Sequence, residues 1–307
     1  MNNFDDIISM PARERQSDSG FDKVDYAAKK KAERESIFEL SDKTATEVST
    51  DIGKFQKYLD VQSNFGRYSA VNAILILAQR PDARQIGSFD HWKDRGGFIK
   101  NRQSGIAILE PQEYTKEDGT TGVGYNVKKM FDISQVDTRK MRSSPPPPAH
   151  SGRQLLAALA SKPPVTISGV DELPQAVTPD LRSSYGGGTA KSGEIYIRRG
   201  MGLSETFTAM AVELSYNEIA YLNPDAADAR FSADCSAYML CKKYGIDTGS
   251  FNFSGATAHF SRIPDLDPQA VKYELSVMRD AMDTISARME RHLDNLLQKS
   301  AKSQEAR

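Results

Sequence analysis

The stretch "AMAVELSYNEIAYL", Ala209 to Leu222, decides how the second half of this 307-residue chain is read. It reads as one helix. Ser204 stands where a hydroxyl can cap the first turn, and the run stops before "NPDA", whose proline a helix interior does not accept. On that helix Val212 and Tyr216 lie one turn apart and share a face, with Glu213 beside the first of them. Upstream, "EIYIRR" alternates as a strand does, after a "RQLLAALAS" helix, a "VTISG" strand and a glycine-rich turn "YGGGTAKSG". Downstream, "ADCSAYMLCKKYG" is a second helix, closed by Gly245. From Asp267 the chain is helical almost to its end. Val271, Leu275, Met278, Met282, Ile285 and Met289 fall at alternating spacings of four and three until His292 interrupts the stripe. This helix is expected to lie on its own domain rather than to zip two chains together.

The length exceeds the ~100–200 residues of a typical domain and predicts two domains with flexible ends. The boundary falls at "SSPPPPAHSG", Ser143 to Gly152, because four prolines cannot join a helix or an inner strand and stiffen the chain into a spacer. The division that follows is a tail over 1–22, a first domain over 23–142, a linker over 143–152, a second domain over 153–265, an amphipathic helix over 266–300 and a tail over 301–307. A hydrophobic content of 39% and a mean hydropathy of -0.53 sit on the polar side of globular, and a net charge of -1 points to no class of partner. No apolar run approaches the ~18 residues of a spanning helix, and the acidic first residues lack the basic head and apolar middle of a signal peptide. A cytoplasmic protein with no membrane partner is expected. Cys235 and Cys241, six apart, fit neither a redox pair nor a zinc knuckle and read as buried thiols.

In the first half, helices are expected over Val24 to Leu40, through "GKFQKYLDV" and through "SAVNAILILAQ", the last apolar almost all round and therefore buried, ending at Pro81. "GIAILEP" and "YNVKKMFDIS" read as a hairpin joined by "TKEDGTTGVG". Between Lys54 and Arg102 nine basic residues face four acidic ones, an excess of five, interleaved with Phe65, Tyr68, Phe89, Trp92 and Phe98. Cations for phosphates and flat rings for unpaired bases are what a single-stranded nucleic-acid groove uses. The plainer reading, a solvated basic face over core aromatics, fits the same composition. Tyr68 and Asn72, one helical turn apart, either meet a base and a backbone or seal the core and cap a loop. Trp92 is either a stacking platform or a packing anchor.

The order of residues adds to this. "RYSAVNAILILAQRPDARQIGSFDHWKDRGGFIKNRQSGIAILEP" followed by "MFDISQVD" resembles the amino-terminal single-stranded-DNA-binding domain of ArdC-type antirestriction proteins. Arg67, Tyr68, Ser69, Asn72, Gln79, Pro81, Trp92, Gly105, Pro111 and the "FDISQ" at Phe131 to Gln135 match that pattern in order, over about Phe55 to Asp137. The departure lies at Asn101 to Ser104, where the family's turn carries further lysine and glycine; Lys100 and Arg102 keep it positive. The resemblance implies DNA-binding roles for Arg67, Tyr68, Asn72, Gln79, Arg80, Trp92, Lys93, Lys100 and Arg102.

The second half resembles the zincin-like domain of the same family, in "TFTAMAVELSYNEIAYL" and "RFSADCSAYMLCKKYGIDT". In the H-E-x-x-H helix of such domains two histidines one turn apart hold zinc, and the glutamate activates its water. Here Val212 and Tyr216 take the histidine positions and Asp234 that of the acidic ligand, while Glu213 keeps the position of the base in Val212-Glu213-Leu214-Ser215-Tyr216. Valine has no lone pair and a tyrosine must first lose a proton with a reference pKa near ~10, so no cofactor and no zinc are expected. The strand "EIYIRR" stands where zincins offer an edge to an extended peptide.

The expectation is an α+β protein of two domains: a small helix-plus-antiparallel-sheet domain that binds single-stranded DNA, and a degenerate zincin-like domain that is helical with a small sheet. The resemblance implies an antirestriction-like protein of mobile-element type, with a host restriction enzyme or another protein as further partner. Two other readings stay open: a metal-dependent hydrolase with a rearranged site, and a protein-interaction module using the peptidase-like groove.

Overall fold

Helix α1 (Lys23–Thr50) is carried by alanine, lysine and glutamate in its first turns but runs well past the expected end at Leu40. Its polar last third, "SDKTATEVST", stays helical because hydroxyls bond back into the helix: Ser41 Oγ donates to Phe38 O at 2.8 Å and Thr44 Oγ1 to Leu40 O at 2.7 Å. This satisfies them where they are buried. Asp51 caps α2 (Ile52–Asn64), accepting from Lys54 N at 2.9 Å, and Ser69 caps α3 (Ala70–Gln79). Then follow β1 (Ile86–Gly87), α4 (Phe89–Asp94), β2 (Phe98–Ile99), the long hairpin of β3 (Ile106–Thr115) and β4 (Thr121–Asp132), and β5 (Val136–Asp137). The computed structural model describes residues 23–116, 118–142, 149–174, 182–186, 193–222 and 229–305. The expected amino-terminal tail, the linker prolines and most of the glycine-rich turn lie outside them.

The hairpin pairs antiparallel from Ile106 opposite Met130 to Thr115 opposite Thr121, so β4 begins inside the segment expected to be the turn. β1 adds to the far end of β4, giving the order β1-β4-β3, and β2 pairs with β5. The "FDISQ" motif is a joint. Buried Asp132 accepts from Arg84 N at 2.7 Å, Gln85 N at 3.0 Å and Ser134 N at 2.9 Å, while Gln135 reaches back to Asp132 N at 2.9 Å. Burial alone would raise the Asp132 carboxyl; these hydrogen bonds outweigh it and hold the group below the ordinary carboxylate range.

The second half holds α5 (Gly152–Leu159), β6 (Thr166–Val170), β7 (Ser183–Gly186), β8 (Glu194–Arg198), α6 (Leu203–Leu222), α7 (Ala229–Lys243), α8 (Ala256–Phe260) and α9 (Pro268–Glu305). Because α6 begins at Leu203, Ser204 sits inside the first turn and is not its cap, a shift of two residues from the expectation. Strand β8 lies between β6, parallel to it, and β7, antiparallel. Both of its edges are therefore occupied, and the expected peptide-pairing edge at "EIYIRR" is not open.

Helix α9 ties the halves together. Val271, Leu275, Met278, Met282, Ile285 and Met289 are wholly buried, and the stripe continues at Leu293. His292, which interrupts it in the sequence, turns to Ser161 Oγ at 2.9 Å. The long helix packs on α1 and α3 of the first half and on α5, α6 and α7 of the second. One continuous buried cluster results. Phe55 of α2 lies 5.8 Å from Phe231, 5.9 Å from Phe253 and 5.5 Å from Phe260, all rings of the second half. Among the described residues no helix is long and apolar enough to cross a membrane.

Candidate nucleic-acid interface and the α6–α7 pair

The cap at Ser69 fixes which residues of α3 face the sheet, and these include Asn72 and Gln79, two turns apart. Asn72 Oδ1 accepts from Leu109 N at 2.8 Å and its Nδ2 donates to Leu109 O at 2.9 Å. Gln79 Oε1 accepts from Ala107 N at 2.8 Å and its Nε2 donates to Ala107 O at 2.9 Å. Alternate residues of a strand present their backbone groups to the same edge, so the two amides close the outer edge of β3 as a neighbouring strand would. Both amides are thus engaged with the sheet, and Asn72 at the same time lines the cavity that Arg67 and Tyr68 reach. Trp92 likewise has no exposed surface, and its Nε1 donates to Phe131 O at 2.8 Å. It anchors α4 to β4 and offers no face to a base.

Arg67 and Tyr68 do reach a surface. They line a cavity of about 520 Å³ between the middle of α1, the start of α3, the hairpin and the start of α9, together with Phe38, Tyr125, Gln269 and Lys272. Phe38 and Tyr125, edge to face at 6.1 Å, also border a second cavity of about 540 Å³ reaching Arg34 and Tyr114. A third, of about 390 Å³, continues past Tyr26 and Lys30. These form a groove along α1 and the outer half of the hairpin, where β3 turns from buried to exposed after Leu109. Tyr114 and Tyr125 are about half exposed. Among the described residues Arg34 and Arg67 have no acidic partner, whereas Lys30, Lys128 and Lys129 are held by Glu33 or Glu110. Burial raises the Tyr68 hydroxyl above its ordinary range, with Lys128 pulling the other way.

Arg34, Phe38, Tyr114 and Tyr125 escaped the sequence reading. The available signal was "QEYT" and "GVGYN" at the hairpin tip, aromatic residues outside the buried "IAIL". The other expected residues lie elsewhere. Arg80 ends α3, partly buried, and Lys93, Lys100 and Arg102 are exposed around α4 and β2 beside exposed Phe89 and Phe98. Lys100 Nζ donates to Ser134 O at 2.8 Å. This patch adjoins the β1 end of β4, at Phe131 and Asp132, while Tyr125 lies six residues back, roughly 20 Å along the strand.

On the facing helices α6 and α7, Val212 points into the core and Glu213 has no exposed surface. Glu213 Oε1 accepts from Ser183 Oγ and from Arg230 Nη1, each at 2.9 Å. The same guanidinium lies 4.4 Å from the ring centre of Tyr216, which meets Tyr185 edge to face at 5.8 Å. Asn217 Nδ2 donates to the Tyr185 hydroxyl at 3.1 Å. Asp234 is half-buried on α7, one turn beyond Arg230. The sequence reading missed Arg230, because nothing in one helix's spacing shows which residue of the next will face it.

No family model matches the chain, and no curated protein matches it. Among solved structures it is similar to the Mn(II)-bound form of the antirestriction protein ArdC from plasmid R388, with a TM-score of 0.52 at 13% identity over 81% of this chain and 98% of that one. The metal-free form aligns with a TM-score of 0.48 at 13% identity, over 73% and 86%. The chain therefore has an ArdC-like α+β fold. The expectation of no cofactor is corrected by the same comparison, since a protein of this fold binds Mn(II). The residues at the α6 position do not by themselves fit such an ion. Val212 has no donor atom, the Tyr216 ring lies under a guanidinium, and that guanidinium already neutralises Glu213. The described residues contain no group of three or more histidine, cysteine, aspartate or glutamate side chains that could hold a metal.

Proposed function

We propose that this chain is an antirestriction-like protein that binds single-stranded DNA along the groove between α1 and the β3–β4 hairpin, and that its peptidase-like half is non-catalytic. The observation that carries the first part is the meeting of Phe38, Tyr68, Tyr114 and Tyr125 with Arg34 and Arg67 in one concave surface. Rings stack on any base and guanidinium groups take phosphates, a combination suited to strands of any sequence. The antirestriction role rests on the ArdC-like fold, and a host restriction enzyme is the protein partner it suggests. The exposed Lys93, Lys100 and Arg102 extend the cationic surface. Support for the second part comes from Glu213, wholly buried and bound by Arg230 and Ser183: a general base must reach substrate or its water, and this carboxylate does neither.

The test is a fluorescence-anisotropy titration of the full chain with single-stranded and duplex oligonucleotides over a range of salt. Three neutralised phosphates would give a log–log slope near ~-2 for a single strand. Arg34→Ala with Arg67→Ala should flatten that slope by about 1.4. Absence of binding at low salt, or equal affinity for duplex, would reject the reading. If Lys93→Ala, Lys100→Ala and Arg102→Ala together abolish binding while the Arg34 and Arg67 pair leaves it intact, the strand lies on the α4 face instead.

A further inference from the structure

We infer that the cavity at the Tyr26 end of the groove is a site for one backbone phosphate of the bound strand, and that Glu33 fills it as a built-in counter-ion which the phosphate displaces. The inference rests on the single-strand reading above and adds a device that sets how tightly the strand is held.

The site lies on one stripe of α1. Tyr26, Lys30, Arg34 and Phe38 follow one another at intervals of four, about 6 Å apart along the axis, so they share a face. The first three, with Glu33, line the cavity of about 390 Å³, while Arg34 and Asn126 line both this cavity and the one that holds Phe38, Tyr114 and Tyr125. The two are therefore consecutive along the groove.

Short distances place the charges. Lys30 Nζ lies 2.8 Å from Glu33 Oε2 and 6.0 Å from the centre of the Tyr26 ring, so the ammonium stands beside two of the cavity's walls. Lys129 Nζ, arriving from β4, lies 3.8 Å from Glu33 Oε1, too far for a hydrogen bond. The hydrogen bond from Lys30 holds the Glu33 carboxyl below its ordinary range, so it is an anion at neutral pH. Three cations, Lys30, Arg34 and Lys129, thus meet one carboxylate, which leaves a net charge of two. Glu33 is tethered to α1 and cannot centre itself among them; a phosphodiester, with the same charge and two free oxygens, is not so tied. The lysines are open to the exchange, their side chains being 49% and 50% exposed. Exposed ion pairs of this kind contribute little to the fold and are screened by salt, so giving up Glu33 costs the protein little.

The experiment is a fluorescence-anisotropy titration of twelve-residue oligo(dT) over a range of sodium chloride. It uses the full chain, Glu33→Gln, Lys30→Met with Lys129→Met, and all three changes together, each checked for folding by circular dichroism. Glu33→Gln should bind about 2- to 30-fold more tightly, the span of two exposed ion pairs. Its log–log slope should be steeper by about 0.7, because the site gains one net positive charge. In the protein lacking both lysines the same change should bring less than half of that gain in free energy. Lys30→Met alone, at an exposed helix position, replaces the pair if the double change does not fold. An equal gain without the lysines would mean that Glu33 only repels the strand at a distance. An unchanged or weaker Glu33→Gln would mean that it holds no phosphate position. Either result overturns the site and leaves single-strand binding standing. Replacing chloride by inorganic phosphate at equal ionic strength should not displace the strand further; if it does, the cavity takes free phosphate and the inference fails. If the full chain binds no oligo(dT) at low salt, this inference and the single-strand reading fall together.

Discussion

Glu213 and Arg230 show what a single residue pair can change. A wholly buried carboxylate is costly without a counter-charge, and here the counter-charge is a side chain whose own exposure is 26%. Arg230→Met should destabilise the fold by about 3 kcal/mol, the low end of the range for breaking a buried pair, because part of the guanidinium is in water. Glu213→Gln with Arg230→Met should cost clearly less than the two single changes added together, since the neutral amide needs no cation. Urea unfolding of the four proteins measures this. Additive effects would mean that the two charges do not stabilise one another. The "VELSY" pattern showed a glutamate on the helix between Val212 and Tyr216; Arg230 as the ion opposite Glu213 was not legible, because it arrives from another helix. Asn72 and Gln79 carry the same lesson: their types and their shared face were visible, their partner strand was not.

At the scale of elements, the short α8 is pinned to its neighbours by a cluster drawn from three helices. Glu274 of α9 accepts from Ser232 Oγ of α7 at 2.7 Å and lies 3.1 Å from His259 Nε2 of α8, while Arg262 Nη2 lies 2.9 Å from His259 Nδ1. Burial would raise the Glu274 carboxyl, but the hydrogen bonds of His259 and Ser232 outweigh it and hold the group below its usual range. A folded-state pKa below the unfolded one adds stability that is complete above the unfolded value of ~4.3 and is lost as pH falls through the folded value. Acid unfolding of Glu274→Gln should therefore be less steep below about pH 4, and its stability at neutral pH lower by about 1.5–3 kcal/mol, the worth of hydrogen bonds to a charged group. Parallel acid profiles for variant and parent would remove Glu274 from this role.

For the whole molecule the continuous core predicts joint unfolding. Trp92 reports on the first half, while Cys235 and Cys241, both wholly buried, report on the second. Burial pushes the Cys241 thiol up to about 12, so it stays protonated and inert until the second half opens. Tryptophan fluorescence and thiol reactivity should follow one urea curve with a shared midpoint. Two separate midpoints would show that the halves open independently despite α9.

The sequence by itself determined the α+β class, the longer helices, the strands β3, β4, β6 and β8, and the apolar stripe of α9. Those follow from periodicity and local turn chemistry, which act over a few residues. The resemblance in its motifs agreed with the fold. What only the tertiary structure decided is where side chains of distant segments meet: that Trp92, Asn72 and Gln79 serve the interior, that Phe38 and Tyr125 share a groove with Arg67, and that Lys272 enters it from the far end of the chain. The reason is physical. Burial and hydrogen-bond pairing are properties of surfaces brought together by folding, and no local period along the chain encodes the neighbour across the interface.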